Sequence, residues 1–265
     1  MDVTEWILFA IIGLIAGLIA GLIGIGGGII TVPALLFSFQ YHHMPNDLVM
    51  KTAIGTSLGI MVFTAASASY FHYKNGNIVW KVFTLFAPGI AVGSIIGSLI
   101  ADFLPSSQLK VFFAFFQICM GIYFILPIKP HSEETTIKSS YALTIAGVFI
   151  GIVSTLLGIG GGILIIPVLL KFKIPLKKAV GTSSFIVLLT AIIGSISFFL
   201  LGMSKEDSPT HFGYLYLPAF FVIGIISIFS AQMGANLAKR LQTSILRKVF
   251  GYSLIIIALF VLNQI

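Results

Sequence analysis

The chain alternates long apolar stretches with short polar segments, and this pattern limits its fold more than any other feature. The Lys and Arg residues lie in the polar segments, and several apolar stretches are long enough to cross the roughly 30 Å hydrocarbon core of a bilayer. Of the 265 residues, 58% are hydrophobic and 9% are charged, whereas about 25% are charged in a typical globular domain. The sequence therefore predicts an all-α polytopic membrane protein.

The net charge of +7 does not indicate a nucleic-acid partner, because no run reaches the roughly five like charges of a nucleic-acid-binding tail. The chain has no phosphate-binding Gly-x-x-x-x-Gly-Lys-Ser/Thr run, and its histidines lack the spacing of a metal site. We therefore predict no cofactor and no metal. The expected partners are the lipid bilayer and a small solute, with a homodimer as a further expectation.

An internal duplication organises the chain. The segment Gly24–Pro33 recurs as Gly158–Pro167, and Lys51–Ser57 recurs as Lys177–Ser183. Two motifs shared in the same order indicate a tandem repeat, which is common in transporter folds. The predicted units are a first transmembrane repeat, a connecting loop and a second transmembrane repeat: residues 1–128, 129–137 and 138–265.

Each half begins with an apolar stretch that glycines interrupt. Residues 6 to 39 number 34, and one continuous helix of that length measures about 51 Å. The glycines divide this stretch into Trp6–Ile23, which is long enough to span, and the shorter Ile29–Phe39. Tyr141–Leu157 and Ile163–Leu170 repeat the design. We predict that each half contains a glycine-broken first helix hairpin followed by three spans.

The distribution of basic residues favours inverted halves. If each broken stretch crosses the membrane once, the chain has eight spans and 10 of its 15 basic residues lie on one side. If each break returns the chain to its starting side, 12 basic residues share a side and only Lys51, Lys110 and Lys205 lie opposite. The second distribution fits the positive-inside rule better. We therefore predict inverted repeats in the cytoplasmic membrane with both termini outside.

The paired motifs resemble those of the TauE/SafE, or sulfite exporter, family of membrane transporters. The resemblance covers nearly the whole chain. It rests on the glycine segments beginning at Gly24 and Gly158, the Gly-Thr-Ser segments beginning at Gly55 and Gly181, and the helices after them. Members of this family are associated with sulfite, sulfonates such as sulfoacetate and other small organic anions. The resemblance implies a small-anion transporter and names no particular cargo.

The glycine breaks are the first candidate binding residues. A helix broken inside hydrocarbon leaves backbone groups unpaired, so the break persists only where it is buried in protein or lines a wet cavity. The short helix that follows begins with free N–H groups and the positive end of its dipole, which together bind anions. Close helix packing is the alternative role. We predict backbone donors beside a hydrated chamber, at Gly26, Gly27, Gly28, Gly160, Gly161 and Gly162.

Hydroxyls of the second repeated motif are the next candidates. If the helix after the first hairpin begins near Asn46, Thr56 lies about 15 Å along it, near the middle of the bilayer. A hydroxyl there can donate to an anion without burying a charge, and the alternative is a bond to the carbonyl four residues earlier. The candidate donors are Thr56, Ser57, Thr182 and Ser183.

Two further glycine stripes repeat every fourth residue, at Gly13, Gly17 and Gly21 and at Gly89, Gly93 and Gly97. Such small-residue faces allow close approach of membrane helices, and we assign them to packing.

The preferred function is a secondary transporter that moves a small anion, such as sulfite or an organosulfonate, by alternating access. No acidic or basic side chain lies deep in a predicted span, so neutral dipoles must hold the anion. A passive anion channel, an intramembrane enzyme and a structural subunit are the alternatives. The segment Gly55–Gly59 matches Gly-x-Ser-x-Gly, but a nucleophile elbow requires a preceding strand that this helical context lacks. We therefore predict that the protein is not an enzyme.

Overall fold

The computed structural model describes residues 3–23, 26–41, 44–126, 140–203, 210–238 and 243–264, and these contain ten helices. The first half contains α1 (Val3–Ile23), α2 (Gly28–Tyr41), α3 (Asn46–Lys74), α4 (Trp80–Phe103) and α5 (Ser106–Ile125). The second half contains α6 (Ser140–Leu157), α7 (Gly162–Lys171), α8 (Leu176–Gly202), α9 (Leu217–Ala238) and α10 (Thr243–Leu262). Six of the described helices are long and apolar enough to cross a membrane. The predicted all-α polytopic membrane fold is confirmed.

The helix ends lie where the glycine segments predict them. In the first half, α1 ends at Ile23 and α2 begins at Gly28. In the second half, α6 ends at Leu157 and α7 begins at Gly162. Helix α3 begins at Asn46, as expected. The predicted connecting loop at 129–137 lies outside the described residues, and the domain boundaries stay a prediction.

A short β-hairpin precedes α9 and was not predicted from the sequence. Its strands, β1 (His211–Phe212) and β2 (Leu215–Tyr216), pair antiparallel through a turn at Gly213, whose φ is 58°. Strands of two residues are too short to show the alternation by which a strand is recognised in a sequence.

The first glycine break reverses the chain. Phe9, in the first half of α1, lies against Tyr216 with ring centroids 6.1 Å apart. Phe39, near the end of α2, lies against the same ring at 5.3 Å. The end of α2 thus lies at the same level as Phe9 in α1, and the two helices form a hairpin.

The two halves are interleaved, and the most extensive helix contacts have counterparts after exchange of the halves. Helix α1 packs against α9, and α6, the counterpart of α1, packs against α4. Helix α3 packs against its own counterpart α8, and α5 against its counterpart α10. The protein therefore has an approximate two-fold relation between its halves.

Glycines set the contact between α4 and α6. A Cβ at Gly89 would meet the backbone oxygen of Thr144, and one at Gly97 would meet the backbone of Ile152. The packing role predicted for this stripe is confirmed. Because the later glycine of α4 meets the later residue of α6, the two helices run in the same direction.

Counterpart helices run in opposite directions. Near the start of α5, Lys110 Nζ donates to the backbone oxygen of Gln264, beyond the end of α10, at 3.0 Å. Farther along α5, Gly121 faces Ile255, which lies nearer the middle of α10. Antiparallel packing of helices that correspond in the repeat favours an inverted relation between the halves.

Candidate functional site

The two glycine breaks meet at the centre of the protein. A Cβ at Gly28 would meet the backbone oxygen of Gly158 and the Cα of Ile159. At Gly28 there is no room for even a Cβ between the two backbones. The structure thus brings together the two segments that the sequence analysis selected from separate halves.

The same two side chains border both breaks. Met61 Cε, from α3, lies against Gly26 and Gly160, and Val187 Cγ1, from α8, lies 3.1 and 3.0 Å from where their Cβ atoms would be. Because residues 61 and 187 occupy matching places after the repeated Gly-Thr-Ser motifs, this contact follows the two-fold relation of the halves.

Glycine is required in both breaks because the backbone adopts positive φ angles, which L side chains rarely adopt. The values correspond closely between the halves: 93° at Gly26 and 80° at Gly27, against 72° at Gly160 and 84° at Gly161. The matched angles explain why the glycines recur in the two motifs.

Both short helices direct their amino ends toward this centre. The backbone oxygen of Gly27 accepts bonds from the N–H groups of Ile30 and Thr31, both at 3.1 Å, and thereby begins α2. The oxygen of Gly161 begins α7 in the same way. The earliest N–H groups of a helix have no acceptor within it, and the dipole places partial positive charge there. The segments 26–28, 54–61, 158–162 and 182–187 carry no charged residue, so none of them supplies a carboxylate that would neutralise this field.

The threonines of the repeated motif hold segments of the opposite half. Thr56 Oγ1 accepts a hydrogen bond from the backbone N–H of Tyr216 at 2.9 Å. Thr182 Oγ1 accepts one from Val79, also at 2.9 Å. Tyr216 lies just before α9 and Val79 lies just before α4. Each threonine therefore anchors the residue that immediately precedes one of these helices.

The preceding glycines make these contacts possible. A Cβ at Gly55 would meet the backbone oxygen of Tyr214, and one at Gly181 would meet that of Asn77. The Gly-Thr pair is therefore a docking point for an incoming chain segment in each half.

The serines of the motif are buried but differ in their partners. Ser57 Oγ donates to the backbone oxygen of Gly158 at 2.9 Å and so links α3 to the break of the second half. Ser183 is fully buried, yet within the described part of the chain its Oγ has no hydrogen-bond partner. Neither serine forms the bond to its own helix that the sequence analysis considered. Of the four candidate hydroxyls, Ser57 contacts the predicted site directly.

The centre is closed in this structure. Residues 158 to 162 are all buried, as are Gly27 and Gly28, and Met61 is fully buried between the breaks. Of the described glycines in the breaks, Gly26 is partly exposed. The hydrated chamber expected from the sequence is thus not open between the breaks, because the two backbones and Met61 occupy that space. An open groove of about 400 Å³ lies instead on the outer face of α5, at Ser107, Gln108, Val111, Phe112 and Phe115.

Sequence reasoning missed Met61 and Val187. Each lies four residues after the serine of its Gly-Thr-Ser motif, and residues at this spacing share a helix face. The sequence shows this spacing from a candidate donor. However, no neighbouring residue indicates that an apolar side chain at this position would contact both breaks.

The fold and this centre define a class: a polytopic helical membrane protein in which broken helices from two related halves meet in the interior, as in many transporters. The sulfite exporter TauE/SafE family model matches residues 9–261. The chain belongs to this family.

Relatives with similar sequences carry transporter names. A "Probable membrane transporter protein" of Haemophilus influenzae is 35% identical over 254 residues, 96% of each chain. One of Methanocaldococcus jannaschii is 33% identical over 96% of this chain and 94% of its own. "Sulfite exporter TauE/SafE family protein 1" of Arabidopsis thaliana is 29% identical over 55% of this chain and 36% of its own. No solved structure matches the chain.

Proposed function

We propose that the protein is a secondary transporter that moves a small anion, sulfite or an organosulfonate, across the cytoplasmic membrane by alternating access. The observation that carries this proposal is the meeting of the two breaks, each followed by a helix whose amino end faces the centre. The transporter names of its relatives support the same function and give no support for catalysis.

The anion is bound by neutral groups. Backbone N–H groups of Gly26–Gly28 and Gly160–Gly162 supply donors at the helix ends, and Ser183 supplies a hydroxyl. Ser57 supplies a second hydroxyl once its hydrogen leaves the Gly158 oxygen. Thr56 and Thr182 also position the segments before α9 and α4, because their oxygens accept backbone hydrogen bonds. Each threonine hydroxyl keeps its hydrogen to donate to the anion. A site without a charged partner suits a carrier, since it must also release its cargo.

The conformation described is an occluded state of this cycle. An anion reaches the glycines only after Met61 leaves the space between them. A methionine side chain has three rotatable bonds and adapts readily to a changed packing environment. In halves of opposite orientation, equivalent movements expose the same centre first to one side of the membrane and then to the other. The antiparallel packing of α5 against α10 supports this arrangement. The distribution of the basic residues favours both termini outside.

Counterflow in proteoliposomes tests the function and separates a carrier from a channel. Vesicles loaded with unlabelled sulfite are diluted into a trace of radiolabelled sulfite, and the experiment is repeated with sulfoacetate. A carrier accumulates label inside the vesicles transiently above equilibrium, because each unlabelled anion that leaves is exchanged for a labelled anion from outside. Simple equilibration together with a measurable current would instead indicate the channel, and uptake no greater than that of empty vesicles with either anion would overturn the proposal.

A pair of variants links the flux to the centre. Met61→Phe places a larger, stiffer side chain between the breaks and is expected to abolish exchange. Val111→Phe enlarges an exposed residue on the outer face of α5 and is expected to leave exchange unchanged. Equal exchange by the two variants would show that the anion takes another route.

A further inference from the structure

The second break carries a buried hydroxyl that no contact within the protein accounts for. Ser154, in the last turn of α6, is 1% exposed, and its Oγ has no hydrogen-bond partner among the described residues. The backbone oxygen of Ser154 accepts a bond from Ile159 at 3.0 Å, which fixes this turn against the break. A buried polar group without a partner destabilises a protein, so its retention needs an explanation.

The hydroxyl faces the amino end of α7. A Cβ at Gly161 would meet Ser154 Oγ as its nearest neighbour, and Gly161 is the N-cap residue of α7, with φ 84° and ψ −4°. No side chain within the described residues caps this helix. A serine in an apolar helix usually donates to a carbonyl three or four residues earlier, as Ser227 does to Gly224 at 2.8 Å. Ser154 forms no such bond and is directed toward the break.

The first half has the same geometry without the hydroxyl. The repeat pairs Gly13 with Gly147, Gly17 with Gly151 and Gly27 with Gly161. The same spacing makes Ala20 the counterpart of Ser154. The methyl group of Ala20 lies 3.2 Å from the position of a Cβ at Gly27. The two breaks therefore differ at this contact by a single donor.

We propose that Ser154 is a substrate-binding residue that donates its hydroxyl hydrogen to an oxygen of the transported anion at the amino end of α7. The anion thus binds at the second break rather than equally at both. The hydroxyl adds one directed donor to the N–H groups and dipole field of α7, and hydrogen bonds to an ionised acceptor are stronger than neutral ones. A small oxyanion such as sulfite or a sulfonate head group suits this donor set. The inference rests on the proposed transport function.

Reciprocal exchange of the two side chains tests the assignment. Ser154→Ala makes the second break like the first, and Ala20→Ser gives the first break the missing donor. We expect Ser154→Ala to raise the KM for sulfite and for sulfoacetate about tenfold, since a tenfold change in affinity corresponds to the loss of one hydrogen bond to a charged group. The maximal rate is expected to change little. Ala20→Ser is expected to lower KM by no more than about twofold, because it only adds a second site of similar affinity.

Thermal unfolding separates binding from a structural role. Without anion, Ser154→Ala is expected to unfold at the same temperature as the wild type or slightly higher, because it removes an unpaired buried hydroxyl. With saturating sulfite, it is expected to gain less stabilisation. An unchanged KM in Ser154→Ala overturns the inference, as does a higher KM with a matching loss of anion-free stability. A fall in KM of about tenfold in Ala20→Ser overturns the assignment to one break, because both donors would then act on the same anion.

Exchange by the wild type distinguishes failure of the role of Ser154 from failure of the transport function. If the wild type exchanges sulfite or sulfoacetate and Ser154→Ala does so with the same KM, the role of Ser154 fails and the transport function stands. If the wild type exchanges neither, the transport function fails, and the role of Ser154 fails with it.

Discussion

The two halves are matched where they hold each other and different where they face the central breaks. Thr56 and Thr182 accept equivalent backbone bonds, both at 2.9 Å, from segments of the opposite half. The neighbouring serines are not equivalent, because Ser57 bonds to Gly158 whereas Ser183 has no partner in the described residues. The contacts by which the two halves hold each other, here called the frame, are thus close to symmetric, whereas the residues at the centre are not.

This difference separates the residues that build the frame from those that distinguish one break from the other. The contacts that join the halves need the same Gly-Thr pair twice, since each connection docks on a helix of the other half. At the centre, Met61 corresponds to Val187 and Ser154 corresponds to Ala20. An anion bound to one side of the two-fold axis contacts one half more than the other, and unequal side chains would favour one such position.

The largest expected effect concerns the orientation of the halves. In a Cys119→Ser background, Asn46→Cys and Lys177→Cys place single thiols at exposed positions at the starts of α3 and α8. If the halves are inverted, a membrane-impermeant thiol reagent labels the two positions from opposite sides of the membrane. Labelling of both from the same side would contradict the inversion and return the topology to eight single crossings.

The next effect compares a glycine at the centre with one outside it. Gly28→Ala places a Cβ against the backbone of Gly158 and Ile159, which cannot rotate away. Overpacking of this kind costs about 1–3 kcal/mol. We expect the clash also to oppose the movement that opens the centre, and about 1.4 kcal/mol added to that barrier lowers exchange about tenfold. Exchange of radiolabelled sulfite in proteoliposomes measures it.

Gly76→Ala is the control for that substitution. Gly76 has a φ of 63°, and a Cβ there meets nothing within 4 Å. Its substitution therefore introduces backbone strain of about 1–2 kcal/mol without any contact at the breaks. Exchange is expected to remain near that of the wild type, and an equal loss in both variants would argue against a specific role of the central contact.

A smaller, matched effect is expected at the docking threonines. Thr56→Val removes the acceptor of the Tyr216 N–H, and Thr182→Val removes that of Val79. An unpaired, partly buried N–H costs about 1–3 kcal/mol, so both variants should unfold at similarly lowered temperatures. Thr190→Val is the control, because that hydroxyl bonds to the Ile186 oxygen of its own helix. A much larger effect in one half would contradict the matched frame.

The sequence was sufficient for features encoded locally and insufficient for partners far along the chain. Apolar length, glycine runs and the helix start at Asn46 are local, and the structure agrees with them. The partner of Thr56 is 160 positions away, and nothing near residue 56 indicates it. The same limit applies to Ser154, whose importance depends on the absence of a bond that most serines in apolar helices make. The repeat supplied the candidate residues, and the tertiary structure distinguished docking from contact with the breaks.

The smallest expected effect tests the asymmetry at the serines. Ser57→Ala removes the bond to Gly158 and is expected to lower stability by about 0.5–1.5 kcal/mol, the usual net contribution of a hydrogen bond. Ser183→Ala removes a buried hydroxyl that has no partner among the described residues, so stability is expected to stay the same or rise. Thermal unfolding with and without sulfite measures both. If Ser183 contacts the anion during transport, its variant gains less stabilisation from sulfite although the anion-free protein is unharmed. Equal destabilisation of the two anion-free variants would mean that Ser183 has an acceptor after all, and that the centre is as symmetric as the frame around it.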